Sequence, residues 1–346
     1  MQPQRTGIAL VGNCVVDELA PVISPGQLSY TDANRFVDNS ELAGEDVQYS
    51  TGGMALNVAV DLAKIMGGYP LTVIGKVGKD QRAELVRQQL QAHGMSTASL
   101  IVDPQNVTSC TEVLHIRMPD GSIERIFRHA LGAMGNFSAA DVNFAALASH
   151  KIVMFGYGLL LPQFDLADDT HGTVMGRCLA KAQSLGLCTA LDFVSPTHDN
   201  LWKFLRYRKS LQYVDVCCIN EDQAGALTDE DHPERACRSL VQKLHTRIAV
   251  VHCGAQGPNY AFSEKDGLFI QPNFLVAENA YKGNTGAGDA FSAGFLHSLH
   301  QNWPLPTCLK FAAAAAAISL ADVSATGAMK SEAEIIDYME KTPLCE

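Results

Sequence analysis

Residues Gly283-Asn284-Thr285-Gly286-Ala287-Gly288-Asp289-Ala290-Phe291 decide how the chain is read. A run of small residues ends in an acid and opens into a segment where Phe291, Phe295 and Leu299 recur at helical spacing. The stretch predicts a loop feeding a helix N-terminus. Glycines let a ligand approach the main chain, and the first N–H groups of a helix have no internal partner, so such a loop suits an anion. An acid inside an anion site is unfavourable unless it has chemistry to do. The obvious chemistry is removing a proton from a hydroxyl that attacks phosphorus. The loop therefore points to phosphoryl transfer with Asp289 as base. A dinucleotide fingerprint is a weaker fit, because its third glycine would fall at Phe291 and no strand-helix-strand unit with a downstream acid follows. An ordinary glycine-rich turn, with Asp289 merely favouring the helix dipole, stays open on the loop alone.

The 346 residues, 47% of them hydrophobic, supply ample core for an α/β chain and argue against disorder. A formal net charge of -11 and the lack of a Lys/Arg-rich block make nucleic acid and anionic membranes poor partners. Ten cysteines at irregular intervals, with no Cys-x-x-Cys pair, read as reduced core cysteines of a cytoplasmic protein. His297 and His300 lie one turn apart and are expected on a solvated helix face rather than around a metal. Ile8 to Val11 is too short for a signal segment, and the alanine-rich run from Phe311 to Ala321 is too short to cross a membrane. That run is expected to be a buried helix against which something packs closely.

The first strand, Ile8 to Val11, leads into Gly12-Asn13 and Asp17, an acid placed where open α/β sheets often carry ligand groups, although a turn or cap aspartate would look the same. Residues 21–50 lose period and read as a surface excursion. Gly52-Gly53 then opens a helix whose apolar face is Ala55, Val58, Ala59, Leu62, Ile65 and Met66, with Asn57 one turn inside. Residues 99–130 read as short antiparallel strands, with Asp120-Gly121 marking a hairpin. Elsewhere strands and helices alternate: Leu71 to Val77, Lys151 to Phe155, Leu187 to Phe193, Val214 to Ile219 and Ile248 to Val251 are strands separated by helical segments. Such alternation implies a central, mostly parallel sheet flanked by helices on both faces, with ligand groups at the strands' carboxyl ends. Asp17, Asn220, His252 and the 283–289 loop all fall there.

Taken in order, Gly12-Asn13 with Asp17, Gly52-Gly53-x-Ala55-x-Asn57-x-Ala59, Gly75-x-Val77-Gly78-x-Asp80 and Gly286-Ala287-Gly288-Asp289-Ala290-Phe291 resemble the ribokinase-like (PfkB) carbohydrate kinase family. The resemblance runs the length of the chain. It implies a single ribokinase-like α/β domain over residues 1–346, with a small β-sheet lid from roughly 18–50 and 99–130 that often pairs two subunits into a homodimer. It implies ATP and Mg²⁺ as cofactors and a small sugar as acceptor. By matching positions, Asn13, Asp17, Gly52, Gly53 and Asn57 would hold sugar hydroxyls. Asp289 would be the base, and the backbone of Gly286, Ala287 and Gly288 the anion hole. Asn220, with Gln223, would place phosphates and hydrated Mg²⁺ without ligating the metal directly. His252, Gly254, Gly257 and Thr285 would lie against ATP, and Gly327 would border the adenine pocket.

Three departures qualify this. The family usually has Asn-x-x-Glu, whereas Asn220 is followed by Gln223, so a carboxylate that organises metal-bound water is missing unless Glu221 or Asp222 replaces it. The loop usually begins Asp-Thr, an Asp associated with a monovalent-cation site in related kinases; here it begins Gly283-Asn284, which argues against potassium activation. Met54 stands where ribokinases often have Lys, which argues against ribose. Two further readings remain: a nucleoside kinase, with Phe36, Tyr49 or Phe127 as aromatic faces for a base, and a catalytically weak sugar or nucleotide sensor. A phosphosugar acceptor would call on Arg117, Arg125 and Arg128 of the hairpin.

Overall fold

Strand β1 (Gly7–Gly12) is buried at every residue, and its side chains alternate between two cores. Ile8 and Leu10 belong to one apolar cluster, Ala9 and Val11 to the other. A strand with both faces covered reads as a continuous apolar run, and this one lies inside a sheet sandwiched by helices. The structure, a computed structural model, describes residues 5–23, 48–66, 68–117, 123–195 and 201–345.

The remaining strands are β2 (Val15–Ile23), β3 (Gln48–Gly52), β4 (Leu71–Val77), β5 (Leu100–Val102), β6 (Cys110–Arg117), β7 (Ile123–Ala130), β8 (His150–Gly158), the two-residue pair β9 (Ala167–Asp168) and β10 (Gly172–Thr173), β11 (Cys188–Phe193), β12 (Val216–Asn220), β13 (Ile248–His252), β14 (Asn259–Ser263) and β15 (Gly267–Gln271). Among the described residues the main sheet has nine strands in the order β5-β4-β1-β8-β11-β12-β13-β14-β15. Pairing is parallel from β5 to β13, and β14 and β15 close the edge antiparallel. A separate four-stranded sheet runs β3-β2-β6-β7. β6 and β7 form the expected antiparallel pair, with Arg117 opposite Ile123; the Asp120-Gly121 turn lies outside the described residues, as does most of the 21–50 excursion.

Two boundaries differ from the sequence reading. Leu100–Val102 does not join the small sheet; it pairs parallel with β4, with Gly75 opposite Leu100, and forms an edge of the main sheet. Asp17 is not at the end of a main-sheet strand. It lies within β2 of the small sheet, in register with Ser50 and Thr111.

The helices that matter most are α1 (Met54–Ile65), α2 (Gln81–Ala92), α3 (Val174–Ser184), α4 (Phe204–Ser210), α5 (Glu221–Thr228), α6 (Pro233–Gln242), α7 (Ala287–His300), α8 (Leu305–Ser319) and α9 (Glu332–Lys341). α1 is buried nearly all round rather than along one stripe, from Met54 through Leu62 without a break. Met66, expected on its apolar face, is instead the left-handed C-cap and 76% exposed. α2 starts at Asp80, whose Oδ1 accepts from the Ala83 N–H at 2.9 Å and from Thr108 Oγ1 at 2.7 Å. The Gly75-to-Asp80 signature is thus an N-cap that also ties down the chain entering β6.

α7 and α8 explain the alanine run. A Cβ on Gly294 would stand 3.0 Å from Ala312 Cα and 3.0 Å from Ala315 Cβ, so the two helices meet where both have minimal side chains. His297 is the clearest correction: it is fully buried, its Nδ1 3.1 Å from the Tyr69 hydroxyl and its Nε2 2.9 Å from Glu332 Oε2, with Phe311 stacked on the ring. Two histidines one turn apart looked like a surface because the tyrosine and glutamate that satisfy His297 come from distant elements. His300 bonds the Thr6 carbonyl at 2.7 Å. All ten cysteines are free thiols. Among the described residues no helix is long and apolar enough to cross a membrane.

Gly294→Val forces an isopropyl group into the α7/α8 contact, and overpacking of this kind costs about 1–3 kcal/mol. The variant is expected to unfold at correspondingly lower urea concentration with an unchanged m-value; unchanged stability would show that the two helices are not in close contact.

Candidate active site

The site is assembled at the carboxyl end of the main sheet from three segments far apart in sequence. β1 ends in Asn13, which is buried; its backbone N–H donates to the Gly156 carbonyl at 3.1 Å and its Oδ1 accepts from the Tyr157 N–H at 2.9 Å. Asn13 therefore joins the ends of β1 and β8. Its carbonyl also accepts from the Ala55 N–H at 3.3 Å, which anchors the start of α1. Gly53 precedes that helix with φ +85°, and a Cβ there would be 2.6 Å from the Asn13 carbonyl oxygen, so only glycine fits this entry. A Cβ on Gly52 would be 2.2 Å from Asp17 Oδ2, so the Asp17 carboxylate rests on bare backbone.

Asp289, in the first turn of α7, is 4% exposed. Its Oδ2 accepts from Asn57 Nδ2 at 2.8 Å and its Oδ1 from the Tyr157 hydroxyl at 2.6 Å. Burial pushes its carboxyl above the ordinary range, and these two hydrogen bonds pull it back. Each carboxylate oxygen offers two lone-pair directions, so both keep one free to take a proton. Burial also raises Asp17 to about 6, against a hydrogen bond from Thr111, and the charge on Asp289 adds to the rise. Asp192, at the end of β11, is buried and shifted well upward by burial and then by Asp289. No Lys or Arg among the described residues bonds Asp17, Asp192 or Asp289.

The loop before α7 is closely packed and leads into an uncapped helix. Gly286 is the N-cap with φ +78°, packed so tightly that a Cβ would lie 2.6 Å from Ala325, and no side chain caps the helix. Thr285, Gly286, Ala287 and Gly288 are partly exposed, while Asp289 behind them is buried. The Ala287 N–H donates to the Asn284 carbonyl at 3.2 Å, so of the three expected anion-hole residues it is already engaged. A Cβ on Gly288 would be 3.7 Å from the His252 ring, which lies tilted against Phe291 and whose pKa is held down to about 4 by burial. His252 is therefore a neutral wall beside the loop.

The expected nucleotide residues divide into two groups. Asn220 and His252 are neighbours in register across β12 and β13, and Gly327 belongs to the segment that packs on Gly286. Lys64 holds that segment, its Nζ donating to the Thr326 carbonyl at 2.6 Å and the Gly327 carbonyl at 3.3 Å. Gly254 and Gly257 flank a turn whose carbonyls both accept from Asn273 Nδ2. Gln223 departs from expectation. It is 4% exposed and engaged at both ends: Oε1 accepts from the Asn220 N–H at 2.9 Å, and Nε2 donates to the Phe193 carbonyl at 2.7 Å. Asn220 Oδ1 in turn accepts from the Gln223 N–H at 2.8 Å. The pair is a helix cap joined to the end of β11, with both polar atoms of the buried Gln223 amide tied to backbone groups.

Tyr157, Asp192 and Asp61 were missed in the sequence. Tyr157 lies two residues beyond the apolar run that marked its strand; a polar aromatic at the carboxyl end of a central strand was the available signal.

Gln223→Glu keeps the acceptor for the Asn220 N–H but turns an oxygen toward the Phe193 carbonyl. Losing that donor in a buried position costs about 1–3 kcal/mol. Burial and the facing carbonyl raise the folded-state pKa of the introduced acid, so the deficit is expected to widen as pH rises and shrink as it falls. Chemical denaturation at about pH 5 and about pH 8 checks this, and equal deficits at both would refute it.

The sequence profile of the pfkB family carbohydrate kinases matches residues 20–332. A 5-dehydro-2-deoxygluconokinase from Lacticaseibacillus casei is 26% identical over 344 residues, 98% of this chain and 97% of its own. Fructokinase-1 from Zea mays is 24% identical over 302 residues, 84% of this chain and 88% of its own. Among solved structures, Arabidopsis thaliana ribokinase complexed with ribose and ATP has a similar fold, with a TM-score of 0.73 at 20% identity over 98% of this chain and 99% of that one. The profile match begins inside β2, ends at the first residue of α9 and takes in both glycine loops, and on that ground the chain belongs to the pfkB family of carbohydrate kinases.

Proposed function

We propose that this chain moves the γ-phosphoryl group of ATP to an alcohol of a small, uncharged sugar, with Asp289 as general base. The observation that carries the reading is the Asp289 carboxylate, buried between two donors at the mouth of an uncapped helix. A carboxylate there can meet an alcohol and a phosphate together.

In this mechanism Asp17, carried on the small sheet that would cover the acceptor, accepts from sugar hydroxyls. Asn57 and Tyr157 hold Asp289 so that a free lone pair faces the attacking hydroxyl. The proton passes to Asp289 as the oxygen attacks the γ-phosphorus in line, the bond from that phosphorus to the β,γ-bridging oxygen breaks and ADP leaves, and the amides opening α7 meet the negative charge on the transferring group. Asn57, expected to touch sugar, is better placed to hold the base: its Nδ2 is committed to Asp289 and its Oδ1 is enclosed.

Mg²⁺ fits this site as a guest of the phosphates rather than in a protein cage. No group of three or more His, Cys, Asp or Glu among the described residues could hold a metal ion. Glu221 and Asp222, in the first turn of α5, are the carboxylates that would take metal-bound waters, since Gln223 is occupied. Bound with ATP, the ion would supply charge neutralisation of the phosphates.

The preference for an uncharged acceptor follows from Asp17, Asp192 and Asp289 gathered without a described cation. A sugar acid, such as the name of the Lacticaseibacillus casei relative denotes, would meet repulsion. Turnover across neutral sugars, sugar acids and nucleosides tests the assignment; a sugar acid as best acceptor would overturn it.

Asp289→Asn is expected to lower kcat about 10²- to 10⁴-fold while ATP binding persists, since a positioned base contributes that much. Normal turnover by this variant would remove the base assignment. The upward shift of Asp17 to about 6 and of Asp289 in the same direction sets an acidic limb. Both groups act as acceptors when ionised, so kcat/KM is expected to fall as pH drops through about 6. A profile flat down to about pH 5 would contradict it.

A further inference from the structure

Helix α1 carries a carboxylate that the reaction above does not use. Asp61 lies one turn after Asn57, so the two side chains share a face of the helix. Asp61 is fully buried, and neither of its carboxyl oxygens has a hydrogen-bond partner. The Asn57 Oδ1 is also buried without a partner, while Nδ2 of the same amide donates to Asp289. Three enclosed acceptor atoms on adjacent turns lack a donor.

An ionised Asp61 would leave all three unmet, which buried polar groups avoid. A protonated Asp61 brings one O–H, and Asn57 Oδ1 is the orphaned acceptor one turn away. The charged groups around Asp61 are Asp289 on α7, which together with burial opposes ionisation, and Lys64 on α1, which favours it. The Lys64 ammonium is engaged elsewhere, on the carbonyls of Thr326 and Gly327.

We infer that Asp61 is a positioning residue, a neutral carboxylic acid whose O–H donates to Asn57 Oδ1 and so fixes the Asn57 amide with Nδ2 toward Asp289. The two ends of an Asn amide are nearly the same size, so the group can turn over within its space. Turned over, it would present oxygen to the Asp289 carboxylate and the base would lose one of its two donors. A proton on Asp61 settles the direction of the amide two bonds away from the chemistry. This role rests on the reading of Asp289 as base.

Asp61→Asn keeps the shape, has no charge and supplies an N–H donor in place of the O–H; its kcat is expected to stay close to that of the wild type. Asp61→Leu keeps the approximate size and removes the donor. Its kcat is expected to fall about 10- to 100-fold, the loss of one hydrogen bond to a buried group, with KM for ATP unchanged. Infrared difference spectra between the wild type and Asp61→Asn at neutral pH are expected to show the C=O stretch of a protonated carboxyl group. A folded Asp61→Asn as inactive as the leucine variant, a fully active Asp61→Leu, or a carboxylate band in place of the protonated one would each overturn the inference. Asp289→Asn, assayed alongside, keeps the two readings separable: if it turns over normally the base assignment fails, while the infrared band still decides the protonation of Asp61.

Discussion

A carboxylate taken out of water must be met by donors, and the structure around Asp289 is organised by that requirement. Its two donors come from Asn57 on α1 and Tyr157 at the end of β8, residues separated from it by 232 and 132 positions. Neither donor can reach Asp289 unless β1 lies beside β8 and α1 packs beside α7. Asn13 couples these conditions, since it bonds the end of β8 and the start of α1 at once. The parallel order β4-β1-β8 is thus the scaffold that brings Asp289 and its two donors to one point.

The mouth of α7 depends on a second layer of support. Gly286 is pressed onto Ala325, the backbone N–H of Lys282 donates to the Leu320 carbonyl at 2.8 Å, and the Lys64 ammonium donates to the carbonyls of Thr326 and Gly327 from the far end of α1. One helix therefore grips the site twice, at Asp289 through Asn57 and at the segment behind the glycine loop through Lys64. The close α7/α8 contact at Gly294 fixes the axis along which the loop's amides point. Small residues that look uninformative in sequence are what set the position of the charge.

Much of this was legible in the sequence because it is local. The glycine loop, the acid following it, the paired glycines before Asn57 and the alternation of strand and helix each follow from backbone geometry within a few residues. What escaped depends on partners elsewhere in the chain. His297 looked solvated because Tyr69, Phe311 and Glu332 could not be foreseen around it. Met66 matched the helical period of α1 but stands where the helix stops, so it reaches solvent. Asp61 gave no signal because it lies off the apolar face of α1; the helix has scarcely any polar side, being buried from Met54 through Leu62. Leu100–Val102 was grouped with its sequence neighbours, and only pairing with β4 assigns it to the main sheet.

Two of the three departures from the family pattern, at Gln223 and Gly283, remove acids on the expected nucleotide side, while the third, Met54, lies on the acceptor side, which keeps its acids. Gln223 shows how such a change is tolerated. A glutamate has only acceptors when ionised, whereas the glutamine amide offers an acceptor to the Asn220 N–H and a donor to the Phe193 carbonyl, closing two backbone groups with one side chain. Phe193 directly follows Asp192, whose buried carboxyl feels Asp289. A donor on that carbonyl fixes the strand end carrying Asp192. On the proposed reading, a residue that would no longer serve the metal steadies the wall of the acceptor pocket, and charge is lowered where phosphates would enter and kept where the alcohol would bind. Metal handling would then be left to the first turn of α5, and the amides of α7 would make the larger share of the electrostatic support.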